Sequence, residues 1–484
     1  MVTLSLNFGS LALELFFLLS GIFIFMIDRF IKSKSYAFWL SFWVILGSMV
    51  FILFIPFGDF TRAFRIDFFS SSIKFLLLIG FFFVLLLSDT HLNNFPGLNF
   101  GEFYGLLFFS LFGIFVVLSS QDFLTLFIGL ELMSIPLYFL IATQYVYRKE
   151  SLEGALKYFI AGALSGGLYI LFLGIVYYAT GTIYFEEVSK RLAQGLLKKE
   201  LLLGAVFFIS ALSIKLSLVP FHMWAPDAYE ASPLPITAFL SGLIKFAVMA
   251  VLIKVLILAY SPLKIEIGKI LIPISLLTIL IGSLLAIRQD NLVRLLAYSS
   301  IAHVGYAVLG LVSGDFAGYG FSLFYMFVYL FTTIGSFGIM IYLVRANRGF
   351  LEIPNLAGIC QNLPFISLLL LIFLFSLAGV PPTAGFMAKF YIFLMLVKSQ
   401  YIGVAILALL VSVIGAYPYI RVIKVIYMDK GHLGYYKPTY PIFLAFSLIV
   451  ATFIVILLGI YPRPMLDFIQ RTLFLYISLQ FLQL

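Results

Sequence analysis

An all-α polytopic membrane fold of about fourteen transmembrane helices is predicted by three features of the sequence. Of its 484 residues, 63% are hydrophobic and only 11% are charged, more apolar surface than a water-soluble fold can bury. Apolar runs of about 20 residues recur along the chain, the length that crosses a hydrocarbon core of roughly 30 Å. The short alternating segments of a membrane barrel do not occur.

Taken in order, the runs and their breakers place spans at about 10–28, 37–57, 73–89, 103–119, 122–146, 153–179, 201–222, 233–260, 265–287, 292–313, 319–345, 363–397, 401–427 and 440–461. Pro462 to Leu484 reads as an amphipathic or capping helix. The N-terminus, MVTLSLNFGS, lacks the basic region and small-residue cleavage site of a signal peptide. With both termini outside, the inner loops carry 13 Lys/Arg and the outer loops about 12, a balance too even to fix orientation by positive charge alone.

The sequence repeats itself. ELMSIPLYFLIA from Glu131, the helix Gly154 to Tyr178 and the run broken at Pro220 have a counterpart in SSIAHVGYAVLG from Ser299, Gly318 to Leu343 and the run broken at Pro381-Pro382. The offset is about 172 residues at the first element and about 162 at the last, and the charged connection YFEEVSKRLAQGLLKKE of the first copy accounts for the difference. Five helices per copy force the two copies to be inverted, an arrangement that puts the working site near mid-membrane beside interrupted helices. The chain thus divides into a three-helix segment (1–102), a first five-helix repeat (103–260), a second (265–427), and a last transmembrane helix with a short C-terminal helix (428–484).

Ionisable residues deep in these runs are the candidates for chemistry, because a buried charge costs from roughly 2.5 to more than 10 kcal/mol in hydrocarbon. Lys215 lies inside the run Leu201 to Phe221. Lys245 lies thirteen residues past Ser232, roughly 20 Å along a helix, and Glu131 nine past Asp122, roughly 13 Å. Pro220 displaces the carbonyl of Leu216 beside Lys215, and Pro381 and Pro382 displace those of Leu377 and Ala378. Freed groups at membrane depth must meet water or protein, so a polar cavity is expected at each break. Desolvation favours a neutral amine and a neighbouring carboxylate favours the ammonium; movement of Glu131 against Lys215 would switch the lysine between holding and releasing a proton. His303, at the repeat position of Glu131, and Lys389, after the break GVPPTAGFMAK, complete the set.

Each has a plainer alternative. Glu131 and Lys215 fit a structural pair, Lys245 a snorkelling side chain, Lys389 the lining of a solvated loop, and His303 a packing residue. Glu14, Asp122, Lys157 and Lys254, near span ends, read as interfacial. Tyr and Phe are too frequent to mark a site. One cysteine, Cys360, and four scattered histidines, His91, His222, His303 and His432, exclude Cys-ligated iron–sulfur clusters and a disulfide framework. The net charge of +9 is spread over loops without the clustered stripe that nucleic acid needs, and fits lipid surfaces instead.

LFIGLELMSIPLY, SIKLSLVPFHMWAPDAYEASP, ITAFLSGLIKFA, RLLAYSSIAHVGY and AGVPPTAGFMAKFYIF resemble the fifth, seventh, eighth, tenth and twelfth helices of the antiporter-like membrane subunits of respiratory complex I and their relatives in multi-subunit cation/proton antiporters. The likeness covers nearly the whole chain, residues 100–430 most clearly. Lysine at 389, fourteen spans and an end soon after the last of them resemble the subunit N branch, related to mitochondrial subunit 2. The resemblance implies a translocase subunit in a bacterial inner membrane, with both termini outside. Glu131 and Lys215 would be the input pair, Lys245 the relay, His303 a bridge and Lys389 the output. It implies no cofactor in this chain, with NAD, FMN, iron–sulfur clusters and quinone in partner subunits. The partners would be a neighbouring antiporter-like subunit and small membrane subunits, with lipid around them. A subunit of a related cation/proton antiporter, or of a membrane-bound hydrogenase, ferredoxin- or F420-linked complex, is the alternative.

Overall fold

A computed structural model describes residues 8–28, 30, 34–95, 100–145, 147–195, 198–346, 351–430 and 440–481. Arg29, Lys32, Arg348 and Lys437, which enter the loop-charge count, lie outside the described residues, as do His432 and 482–484 of the predicted C-terminal helix. The described residues are mainly helical, in chain order α1 (Ala12–Ile27), α2 (Lys34–Phe51), α3 (Phe68–Asn94), α4 (Phe100–Ser119), α5 (Phe123–Ala142), α6 (Glu150–Thr180), α7 (Phe185–Ala193), α8 (Lys198–Leu216), α9 (Trp224–Ala231), α10 (Leu234–Ala238) and α11 (Lys245–Leu258). There follow α12 (Lys264–Ile287), α13 (Leu292–Leu309), α14 (Phe316–Ala346), α15 (Ile359–Asn362), α16 (Pro364–Ala378), α17 (Ala384–Lys398), α18 (Ile402–Met428), α19 (Ile442–Ile460) and α20 (Arg463–Phe481). A π-helical turn, Phe239–Ile244, joins α10 to α11 and makes one long element, Leu234–Leu258.

Among the described residues, twelve helices are long and apolar enough to cross a membrane. Twelve of the predicted spans fall on them. The other two, 201–222 and 363–397, fall on the interrupted elements α8/α9 and α16/α17. Burial sorts the helices: Leu234–Leu258 and Phe316–Ala346 are almost wholly enclosed, whereas α6 and α18 present most of their residues outward. The outward residues, Leu156, Ile160, Ile406, Leu410 and Val413 among them, are those a lipid or a neighbouring subunit would cover.

Local chemistry sets the ends. Asp67 caps α3 with a reciprocal box, its carboxylate accepting from the Ser70 amide while the Ser70 hydroxyl accepts from the Asp67 amide. Asn291 caps α13 through the amides of Val293 and Arg294. Pro136, Pro273 and Pro418 stand inside α5, α12 and α18.

The connections expected to be loops carry structure. Gly58–Thr61 (β1) and Phe64–Ile66 (β2) pair antiparallel, with Phe64 and Ile66 buried and Arg65 turned outward to Asp59. Runs this short carry too little alternation to stand out from loop. The charged connection folds as α7, burying Phe185, Val188 and Leu192 on one stripe. The Phe64–Ser120 and Asp122–Tyr184 bridges lay hairpin and α7 over the shared end of α4 and α5. In α20, Leu466, Ile469, Leu473 and Tyr476 are buried while Phe474 faces out, the amphipathic pattern expected.

Candidate functional site

The Asp122 carboxylate accepts from the amides of Leu124 and Thr125 at 2.8 Å each and starts α5, which places Glu131 two and a half turns in. Ser134 stands one turn further on. Lys215, the penultimate residue of α8, donates to Ser134 Oγ at 2.7 Å and sits 3.5 Å from Glu131 Oε1. The lysine side chain is 1% exposed and the glutamate 28%. Glu131 shares its face of α5 with Leu124, Ile128, Ile135 and Phe139, all outward, so the pair opens to the side of the bundle.

Beyond Lys215 the helix breaks and several of its backbone groups find protein partners, while the Ser213 and Ser217 hydroxyls and the His222 ring are buried without one among the described residues. The Trp224 indole donates to Ile214 O at 3.0 Å, the Leu218 amide to Ser213 O at 2.8 Å, and the Val219 amide to Thr278 Oγ1 on α12 at 3.0 Å. A cavity of about 620 Å³ opens beside the break, lined by Ile214, Pro220, Phe221 and Trp224 together with Lys157, Asp227 and Arg294. Lys157 contacts Asp227 at 2.6 Å and Arg294 contacts Asp227 at 2.8 Å, so the cavity mixes apolar walls with a charged network.

Lys245 opens α11 directly after the π turn and is fully buried. It donates to Ser300 Oγ on α13 at 2.8 Å and lies 5.5 Å from the centre of the Tyr229 ring; among the described residues it forms no ion pair. His303, one turn past Ser300, is 5% exposed. Its Nδ1 lies 2.7 Å from the Tyr325 hydroxyl and its Nε2 3.3 Å from that of Tyr419, which in turn is 2.5 Å from Ser299 Oγ.

The second break uses its lysine differently. α16 ends at Ala378, Gly379 takes a left-handed φ of +84°, and α17 resumes at Ala384. Lys389 reaches back from α17 and donates to Leu377 O and Ala378 O at 3.0 Å each, the two carbonyls that Pro381 and Pro382 were expected to free. A Cβ on Gly379 would lie 3.0 Å from Lys389 Cδ. The Lys389 ammonium stands 5.1 Å from the Tyr306 ring.

The structure therefore joins Glu131 and Lys215 directly. It sets Lys245, His303 and Lys389 around one helix, α13, which carries Ser300, His303 and Tyr306. It shows no direct bond from Lys215 to Lys245, from Lys245 to His303, or from His303 to Lys389. Sequence reading missed Ser134, Ser299, Ser300, Tyr325 and Tyr419; the spacings Glu131/Ser134 and Ser300/His303, three residues apart on one helical face, could have found the serines.

Four residues read as interfacial divide. Lys157 is a half-exposed member of the charged network, but Asp122 is a buried helix cap and Glu14 and Lys254 are fully buried. The reason is tertiary: the hairpin and the neighbouring helices close over the bundle end where they lie.

Residues 120–415, more than half of the chain, match the family described as NADH:quinone oxidoreductase/Mrp antiporter, TM. The chain is 39% identical over 396 residues to NADH-quinone oxidoreductase subunit N of Bartonella bacilliformis, covering 80% of this chain and 81% of that one. It is 33% identical over 480 residues to subunit N of Trichlorobacter lovleyi, covering 96% and 97%. Its fold superposes on a chain of respiratory complex I from Thermus thermophilus, solved with bound aureothin, with a TM-score of 0.80 at 25% identity, covering 94% of this chain and 98% of that one. Buried lysines on interrupted helices, the family match and these likenesses agree: the chain belongs to the family of NADH-quinone oxidoreductase subunit N, the antiporter-like membrane-arm subunits of complex I.

Proposed function

We propose that this subunit translocates protons across a bacterial inner membrane through Glu131, Lys215, Lys245, His303 and Lys389, driven by quinone reduction in other subunits. The observation that carries the reading is the contact between Lys215 and Glu131, a buried amine 3.5 Å from a carboxylate that is partly open to the bundle side. Closing or widening that gap changes how firmly Lys215 holds its proton, by the opposition of desolvation and charge pairing. Each elementary charge moved is worth about 2.3 kcal/mol per 100 mV of membrane potential, against about 1.4 kcal/mol per tenfold change in proton affinity, so small displacements suffice.

In this reading Glu131 and Lys215 take the proton and Lys245 passes it through Ser300. His303, between two tyrosine hydroxyls, bridges to the second half, and Lys389 delivers it. The segments 103–260 and 265–427 act as two inverted repeats, each supplying one interrupted helix. NADH oxidation and quinone reduction, with FMN and iron–sulfur clusters, belong to partner subunits. A neighbouring antiporter-like subunit packs on the outward face of α5 around Glu131, with small membrane subunits and lipid covering other outward faces. Replacing Lys215 by Met in the assembled complex tests this: NADH oxidation should persist in part while proton pumping is lost, and pumping at the wild-type ratio would overturn the reading.

A further inference from the structure

Glu14, Lys74 and Lys254 are among the buried charged residues outside that row, at the bundle end covered by the β hairpin. Glu14 on α1 and Lys74 on α3 form an ion pair in which the side chains are 0% and 1% exposed. Lys74 also donates to Ser119 Oγ at 2.6 Å, and Ser119 to Glu14 Oε1 at 3.3 Å. Glu14 Oε2 is buried with no hydrogen-bond partner among the described residues. Lys254, fully buried on α11, donates to the carbonyl of Leu118, the residue next to Ser119, at 2.7 Å. Lys254 and the Glu14–Lys74 pair thus meet consecutive residues at the C-terminus of α4.

The setting of Lys254 repeats that of Lys389. Each is an amine enclosed in the bundle, each donates to carbonyls at the last turn of another helix, where the backbone leaves acceptors unpaired and the dipole is negative, and neither forms an ion pair among the described residues. Such a site binds an ammonium through fixed dipoles and also accommodates the neutral amine, which keeps an N–H for the carbonyl. A carboxylate partner would instead be left unpaired by deprotonation. Lys254 and Lys245 stand nine residues apart on one helix, about 13 Å along its axis, so in a low-dielectric interior their positive charges repel.

We propose that Lys254 is a further proton-exchanging residue of this subunit, working in alternation with Lys245 and exchanging its proton through Glu14 with the face covered by the hairpin. This rests on the relay reading above. In one direction an N–H bond of Lys254 breaks, an O–H bond forms on Glu14 Oε2, and release of that proton to the covered face restores the carboxylate; in the other, Glu14 Oε2 takes a proton from that face, its O–H bond breaks and the N–H bond of Lys254 forms again. Lys74 holds Glu14 in place throughout, and Ser119 ties the pair to the end of α4.

The test uses Lys254→Arg and Lys254→Met in the assembled complex, with NADH oxidation and proton pumping measured in the same vesicles. Arginine keeps the charge and can donate to Leu118 O, but does not release a proton. Assembly of either variant with pumping reduced at least twofold per NADH oxidised, and a similar reduction in Glu14→Gln, supports the proposal. Wild-type pumping in an assembled Lys254→Arg complex makes the residue a structural cation and overturns it, as does failure of both Lys254 variants to assemble. Lys245→Met is the control: if it pumps normally, the relay reading fails, whereas if it is inactive while the Lys254 variants pump normally, only this branch falls.

Discussion

The two interrupted helices confront the same difficulty, backbone carbonyls without partners inside an apolar bundle, and resolve it in opposite ways. At the first break the carbonyl of Ile214 accepts from the Ser217 amide and the Trp224 indole, which leaves Lys215 free to face Ser134 and Glu131 on another helix. At the second break Lys389 is itself the donor to the carbonyls. Lys215 is thus governed by a charge that can move, Lys389 by dipoles fixed in the backbone.

That contrast is broken most severely by truncating each lysine. Lys389→Met leaves two buried carbonyls without donors, at about 1–3 kcal/mol each, and should lower the yield and thermal stability of the assembled complex as well as abolish pumping. Lys215→Met leaves a serine hydroxyl that still donates to Leu130 O and a carboxylate that is partly exposed, so it should abolish pumping with a smaller loss of stability. Thermal unfolding of the two complexes side by side measures the difference; equal losses would mean that the carbonyl contacts of Lys389 do not hold the break together.

Charge removal without truncation sharpens the comparison. A neighbouring opposite charge alters proton affinity by about ten- to a thousandfold, so Glu131→Gln should slow pumping about tenfold or more while assembly stays intact. His303→Gln, at a side chain held between neutral hydroxyls, should slow pumping less. Pumping assays on reconstituted vesicles decide, and an equal response at both positions would remove the distinction between the halves.

How far the sequence foretold this differs between backbone and side chains. Apolar length located the twelve helices long enough to cross a membrane among the described residues, and proline placement located both breaks; Pro381-Pro382 pointed to the carbonyls of Leu377 and Ala378 because proline acts on the chain a fixed distance back. Serine and tyrosine partners of the lysines could not be chosen in advance. Nothing local separates Ser134 or Tyr419 from many other hydroxyls, and only packing of α5 on α8 or α18 on α13 selects them. Glu14 and Lys254 were misread for the same reason, since depth along a helix is readable from rise per residue but closure by a short hairpin is not.

A gentler probe uses glycine. Gly379 and Gly181 both adopt left-handed backbone, at φ +84° and +69°, but among the described residues a Cβ at Gly181 meets nothing within 4 Å, whereas at Gly379 it crowds Lys389. Alanine at either position should cost about 1–2 kcal/mol for the conformation alone. Only Gly379→Ala should also disturb pumping, because the added methyl displaces the lysine from its carbonyls. Loss of pumping in Gly181→Ala would show that backbone strain rather than crowding of Lys389 is responsible.

The smallest expected effect lies outside the bundle, where α7 and the hairpin cover the end of the first half. The Glu187 carboxylate accepts from the Thr182 hydroxyl and pairs with Arg62, and these contacts, the hydroxyl first, hold it below the usual carboxylate range. Because the folded protein binds this proton less readily than the unfolded chain, the contribution is complete above the ordinary carboxylate range and is lost as pH falls through the lower folded value. Acidification from neutral pH toward 3 should therefore loosen residues 182–193, seen as faster amide exchange there than in α4. Glu187→Gln should show the loosened exchange already at neutral pH and respond less to acid, while Arg62→Ala, which leaves the Thr182 hydrogen bond, should fall between. An unchanged acid response in Glu187→Gln would assign the loosening to another carboxylate of the cover, with Glu186, Asp59 and Asp67 as the nearest candidates.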